Sequence, residues 1–185
     1  SIANAIRFDS QGDMLLADFT GHNVLKINPS TKKVSVFCHD DRFNQPNDLC
    51  LTKGGIVFAS DPKWADGTGQ VWRIMPDGKA TLAAGNMGTT NGIDVSPDGK
   101  ILYVNESKQR NVWAFTIAAD KSLTDKRLFR KFDDHGFDGM SQAIETLMNE
   151  AMKLQRSEAI GAGPYERTRE RRGHADHRLR EPRRP

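Results

Sequence analysis

Two cysteines among 185 residues, Cys38 and Cys50, are too few for a disulfide framework. Each lies in or beside an apolar run, which reads as two free thiols in a reducing compartment. No apolar run approaches the length of a membrane span, so no membrane partner is expected. The opening Ser1-Ile2-Ala3-Asn4 has no charged region followed by an apolar core. No signal peptide is visible there, and a cytoplasmic location is the expectation. The chain also lacks an initiator Met and starts close to a strand, which reads as a processed chain or a fragment. Hydrophobic residues are few, at 37%, whereas glycine is plentiful, at 16 residues; that combination fits a turn-rich all-β body, or an ordered body with a polar tail.

Lysine becomes scarce near the end of the chain. Residues 1–140 hold 17 Lys+Arg against 17 Asp+Glu, with 11 Lys and 6 Arg. Residues 141–185 hold 10 against 7, with 1 Lys and 9 Arg, and so carry all of the net charge of +3. So abrupt a switch places a boundary near residue 140.

What is present before that boundary is a repeat. Asn4-Ala5-Ile6, Asn47-Asp48-Leu49, Asn91-Gly92-Ile93 and Asp138-Gly139-Met140 start 43, 44 and 47 residues apart. Each of the first three leads through a glycine turn (Gly12, Gly54-Gly55, Asp98-Gly99) into a second β-run, at Met14–Ala17, Ile56–Ala59 and Ile101–Val104. A third run follows at Val24–Ile27, Val71–Ile74 and Val112–Ile117. A weaker fourth closes each unit at Val34–Phe37, Ala80–Ala83 and Arg127–Phe132. In Ser96-Pro97-Asp98-Gly99, Pro97 fixes φ and Gly99 supplies φ > 0, so Ile93–Val95 and Ile101–Val104 read as a hairpin. Four short strands per repeat of this length are the signature of a β-propeller blade. The fold class is therefore all-β, a partial propeller of three blades with a fourth opened at Asp138.

Beyond Met140 no strand-like run continues. Ile144, Leu147, Met148, Ala151 and Leu154 recur at helical spacing, with Ser141 able to cap the start and Gly161 the end, which predicts a helix over 141–162. Residues 163–185 are polar and arginine-rich, and read as a disordered basic tail.

The first strand of each blade lines a propeller's channel, so Asn4, Asn47, Asn91 and Asp138 would converge near its axis. Asn and Asp offer the oxygen ligands that a hard cation takes. The same residues also suit a turn with left-handed backbone at a blade entrance. The clusters His39-Asp40-Asp41 and Asp133-Asp134-His135 read as solvated loops. Trp72 and Trp113, at matching blade positions, read as core. The glycine-bearing loop at Trp64-Ala65-Asp66-Gly67 reads either as a plain connection or as a cover for the channel mouth, with Trp64 touching substrate.

Four motifs in order carry a family resemblance: Gln45-Pro46-Asn47-Asp48-Leu49, Phe58-Ala59-Ser60-Asp61-Pro62, Thr90 through Val104, and Phe137-Asp138-Gly139-Met140. Residues 1–140 resemble the senescence-marker-protein/gluconolactonase family. The resemblance implies a six-bladed parent with a divalent metal in its channel, Ca²⁺ first and Mg²⁺, Mn²⁺ or Zn²⁺ otherwise. It implies hydrolysis of a small-molecule lactone or ester. By motif, Asn47 and Asn91 are metal ligands, and Asp138 is both metal ligand and general base. Asp48, beside Asn47, is a candidate for orienting a ligand or a sugar hydroxyl. The family's fourth ligand, a Glu, has no match among these residues, and its strand is expected before residue 1. Impaired activity is the expectation.

Residues 140–175 resemble the N-terminal region of Mutator-type insertion-sequence transposases, through Met140–Glu158, Gly161–Thr168 and Arg171–Ala175. Together the two resemblances imply a chimera, a lactonase-type propeller joined to a transposase-like segment. The competing reading is a non-catalytic propeller serving as an interaction module with a nucleic-acid-binding Arg-rich tail. With acids interleaved and no aromatic platform, nucleic acid is not the expected partner; self-association through exposed blade edges is.

Overall fold

A computed structural model describes residues 3–133, all within the first of two units into which the chain divides, Ser1–Met140. The helix expected over 141–162, the tail over 163–185 and Asp138 lie outside the described residues.

The described chain is twelve strands in three sheets of four. Blade 1 holds β1 (Ala3–Phe8), β2 (Met14–Asp18), β3 (Asn23–Ile27) and β4 (Val34–His39). Blade 2 holds β5 (Leu49–Leu51), β6 (Val57–Lys63), β7 (Thr68–Ile74) and β8 (Ala80–Met87). Blade 3 holds β9 (Thr90–Val95), β10 (Ile101–Glu106), β11 (Asn111–Ile117) and β12 (Leu123–Lys131). Every strand pairs antiparallel with the next in its own sheet. The expected all-β propeller of three blades is what the sequence folds into.

The Ser96 turn shows why the sequence specifies these hairpins. Gly99 adopts φ 73° and its N–H donates to Ser96 O at 2.8 Å, while Ser96 N–H donates to Ile101 O at 2.8 Å. Gly12 and Gly55 hold the same left-handed conformation at the equivalent turns of blades 1 and 2, where any other residue would be strained. The outermost strand β12 begins at Leu123, four residues earlier than its sequence suggests. Its pattern Leu-Thr-Asp-Lys-Arg-Leu-Phe-Arg-Lys is nearly all exposed, so burial imposes no clear alternation on it.

Register places the repeats in one phase. Ile6 pairs with Leu16, Leu49 with Ala59, and Ile93 with Val104. Counting back two residues puts Asn4, Asn47 and Asn91 at equivalent positions. The inner strands stand side by side, β1 against β5 and β5 against β9.

Two apolar cores fill the gaps between blades. Leu15, Ala17, Val24 and Cys38 of blade 1 meet Leu49, Val57, Ala59, Trp72 and Ile74 of blade 2. Cys50, Phe58, Val71 and Met87 on the other face of blade 2 meet Ile93, Leu102, Val104 and Phe115 of blade 3. Trp72 is buried and Trp113 packs against the second core, as their shared position suggests. Both cysteines are free and buried; burial pushes the Cys38 thiol up to about 11 and raises the Cys50 thiol well above the ordinary range.

Candidate functional site at the inner-strand entrances

The second strand of every blade carries a buried acid at or near its end: Asp18 and Glu106 end β2 and β10, and Asp61 stands two residues before the end of β6. Each acid sits directly across from an amide at the start of the third strand, Asn23, Gln70 and Asn111. The amide donates to the acid at 3.4, 2.7 and 3.1 Å respectively. In blades 2 and 3 the same carboxylate also takes main-chain N–H groups from the loop that enters the inner strand. Asp61 accepts from Asn44 N (2.9 Å), Gln45 N (2.5 Å) and the buried indole Nε1 of Trp72 (2.8 Å). Glu106 accepts from Gly88 N at 2.7 Å. A buried carboxylate is retained only when its lone pairs are filled, and these are filled by the loops they position. The sequence reading missed this pair. The signal was there in Asp18…Asn23, Asp61…Gln70 and Glu106…Asn111, three acid–amide pairs at one structural phase.

The loops held in this way deliver Asn47 and Asn91. Asn47 is 2% exposed, and its main-chain N–H donates to Ser60 O at 2.9 Å. Its side-chain Nδ2 donates to Asn91 Oδ1 at 2.6 Å, although the two lie 44 residues apart. Asn91 Nδ2 in turn donates to Ser107 Oγ at 2.9 Å. Ser60 Oγ donates to Asn91 O, tying the middle of β6 to the entrance of β9. The structure thus brings together two of the residues singled out in the sequence. Asn4, in the same phase in blade 1, is exposed.

Asp48 follows Asn47 and joins three blades. Its Oδ1 accepts from Arg7 Nη2 of β1 (2.8 Å) and from Leu49 N (2.8 Å), and its Oδ2 accepts from Ile93 N of β9 (3.1 Å). Burial raises its carboxyl above the ordinary range, and the Arg7 guanidinium opposes that rise. Both carboxylate oxygens are therefore engaged by inner-strand groups.

Trp64 stands half-buried in the β6–β7 turn, at the same edge of the sheets as Asn47 and Asn91. Its N–H donates to Gln45 Oε1 at 3.3 Å, and its carbonyl accepts from Lys108 Nζ. Gln109 Nε2 donates to Gly67 O at 2.9 Å and Thr89 N donates to Gln109 Oε1 at 2.8 Å, so the turns of blades 2 and 3 are laced together above the two asparagines. His39 contacts Asn23 Oδ1 (2.8 Å) and the exposed Asp41 (3.1 Å).

The amides of Asn47 and Asn91 suit a hard cation as two members of its oxygen shell. They already converge to contact, and no donor among the described residues reaches Asn47 Oδ1. A cation would take both oxygens by displacing one amide–amide hydrogen bond. Two neutral oxygens do not make a complete site. Among the described residues no group of three or more His, Cys, Asp or Glu converges, and Asp138 lies outside them.

Three antiparallel four-stranded blades, with the Asn47 and Asn91 amides in contact where two inner strands begin, define part of a β-propeller. The chain belongs to the SMP-30/Gluconolactonase/LRE-like family, whose model matches residues 1–146. It is 29% identical over 152 residues to the gluconolactonase of Zymomonas mobilis, covering 74% of this chain and 43% of that protein. A shorter match, 49% identical over 43 residues, is to the transposase for insertion sequence element IS406 of Burkholderia multivorans; it covers 23% of this chain and 11% of that one. Both resemblances read from the sequence are thereby borne out. Among solved structures, a gluconolactonase of Xanthomonas campestris superposes with TM-score 0.62 at 23% identity, over 71% of this chain and 50% of that one. The calcium-binding protein regucalcin of Agrobacterium tumefaciens gives 0.59 at 21%, over 74% and 47%. These likenesses establish the propeller fold, and the chain spans about half the length of the relatives it matches.

Proposed function

We propose that this chain carries part of a divalent-metal-dependent lactonase site, acting on a small-molecule lactone or ester and impaired relative to full-length relatives. The observation that carries this reading is the direct contact of Asn47 and Asn91 at the inner-strand entrances. Membership of a family that includes a gluconolactonase supports it, and the calcium-binding relative supports Ca²⁺ as the ion. Asn47 and Asn91 would hold the cation through their amide oxygens, with Asp138 as the charged third ligand. When bound, a divalent cation polarises a lactone carbonyl and stabilises the oxyanion that develops on it.

The chain's own residues do the remaining work. Asp138 accepts a proton from the attacking water as general base. Ser107 and Ser60 fix the side chain and carbonyl of Asn91, and Asp61 fixes the loop that presents Asn47. Trp64, whose main-chain N–H donates to Gln45, would cover substrate. Hydrolysis of a sugar lactone, followed with Ca²⁺ and with chelator, tests the reading. Rate above background that vanishes with chelator and in Asn91→Ala is expected. Rate indifferent to both would overturn it. The interaction-module alternative draws on the Arg-rich tail, outside the described residues.

A further inference from the structure

Asn105 of β10 is 1% exposed, and neither its amide nitrogen nor its amide oxygen has a hydrogen-bond partner among the described residues. A buried amide without partners costs free energy, and native chains keep such groups where something takes up their bonds. The blade itself does not require a polar side chain here. Blade 1 carries Ala17 at the equivalent position, and Ala17 only packs in the core shared with blade 2.

Strand register shows what a polar side chain does at this position. Ser60 pairs with Val71, one residue before Asp61 pairs with Gln70. Asn105 pairs with Val112, one residue before Glu106 pairs with Asn111. Ser60 and Asn105 are therefore equivalent, each standing just before the buried acid of its blade. Alternation turns Ser60 to the same face as Phe58, which lies in the core that blade 2 shares with blade 3. From there Ser60 Oγ accepts from Asp48 N at 3.0 Å in its own blade and donates to the carbonyl of Asn91 in the next. The second of these bonds pins the entrance of β9 at the residue that meets Asn47. In blade 3, Leu102 and Val104 point into the core shared with blade 2, so Asn105 points away from blade 2, toward the side on which the chain continues.

We propose that Asn105 is a positioning residue: its Nδ2 donates to the main-chain carbonyl at the entrance of the following inner strand, as Ser60 donates to that of Asn91. The sequence repeat names the recipient. Asp138-Gly139-Met140 begins 47 residues after Asn91-Gly92-Ile93, so Asp138 holds the phase of Asn91. Ser60 lies 31 residues before its acceptor, and Asn105 lies 33 before Asp138. An amide suits the task because it donates and accepts through separate atoms, leaving Oδ1 for a neighbouring N–H. The inference rests on the lactonase reading for the role of the Asp138 carboxylate, and on the repeat alone for the hydrogen bond.

Nuclear magnetic resonance on the full chain, with ¹⁵N-asparagine and carbonyl-¹³C aspartate, tests the bond whatever the activity. The Asn105 NH₂ is expected to exchange slowly with water and to correlate through the bond with the Asp138 carbonyl. Exchange as fast as that of an exposed amide, or slow exchange without that correlation, would overturn the proposal. Asn105→Leu, similar in size and apolar, reads the bond from stability. If the amide holds a carbonyl, the leucine strands it, and the urea midpoint falls by about 0.5 M. A midpoint that stays or rises means that only a partnerless polar group was removed, and refutes the bond. The positioning role is read by Ca²⁺ calorimetry: Asn105→Leu is expected to lose about tenfold in affinity, and Asn105→Ser, which keeps a donor as blade 2 does, to recover most of it. A folded Asn105→Leu that binds Ca²⁺ as wild type does would overturn that role. A wild type that keeps the hydrogen bond but binds no Ca²⁺ counts against the lactonase reading and for the anchor.

Discussion

Asp61→Ala removes the buried carboxylate that holds the Asn47 loop, and its cost follows from what the carboxylate binds. Asp61 is fully buried and receives the Trp72 indole N–H, the Gln70 amide and the main-chain N–H groups of Asn44 and Gln45. The indole sits on a side chain 1% exposed, so its N–H is left without a partner, at about 1–3 kcal/mol. Asn44, Gln45 and Gln70 are only partly buried and regain water, so they contribute less. The sum is about 3–5 kcal/mol, the scale on which breaking a buried charged network destabilises a protein. With a urea slope of ~2 kcal/mol/M, the unfolding midpoint falls by about 2 M, read by tryptophan fluorescence. Asp61→Asn keeps one acceptor oxygen and turns an NH₂ toward the other donors, so it is expected to fall between Ala and wild type. An Asp61→Ala midpoint within about 0.3 M of wild type would refute the reasoning.

Two further outcomes follow from named geometry. Arg7→Met leaves Asp48 buried without its cation, and burial already raises that carboxyl above its unfolded value. An acid whose folded value is raised costs stability as pH climbs through the interval between the two values, since the native state holds the proton more tightly there. The deficit of Arg7→Met is therefore smallest in acid and grows toward neutrality; urea midpoints measured across pH check this, and a deficit independent of pH counts against it. Gly69→Ala drives a Cβ to 2.6 Å from Gly88 O and 2.9 Å from Thr90 N, at the entrance to β9, whereas a Cβ at Gly99 meets nothing within 4 Å and suffers only its φ of 73°. Gly99→Ala is expected to lose about 1–2 kcal/mol and Gly69→Ala more, by thermal unfolding; the reverse order would contradict the assignment.

The blades were legible because each local signal repeats. Glycine turns, β-branched runs and the Asn-led entrances recur in three copies, and no alternative fold satisfies all of them at one phase. Asn47 and Asn91 were legible for the same reason: a shared position in the repeat brings their side chains into contact. Asp61 and Glu106 were passed over because an acid near the end of a strand looks like a turn residue until its partners, 16 to 18 positions away, are known. The three-way role of Asp48 was hidden too. Its partners Arg7 and Ile93 lie 41 and 45 residues distant, and only blade stacking makes them neighbours. The open face of blade 1 is invisible in sequence for a different reason. Its residues are those of any blade core, and they stand exposed because no preceding blade lies among the described residues.

The central claim, that two inner-strand asparagines form part of a cation site, is most directly tested by calorimetric titration of the full chain with Ca²⁺. Wild type is predicted to bind, and Asn91→Ala to lose at least about tenfold in affinity, or about 1.4 kcal/mol, with its urea midpoint little changed. Equal Ca²⁺ affinity in wild type and Asn91→Ala would contradict the account.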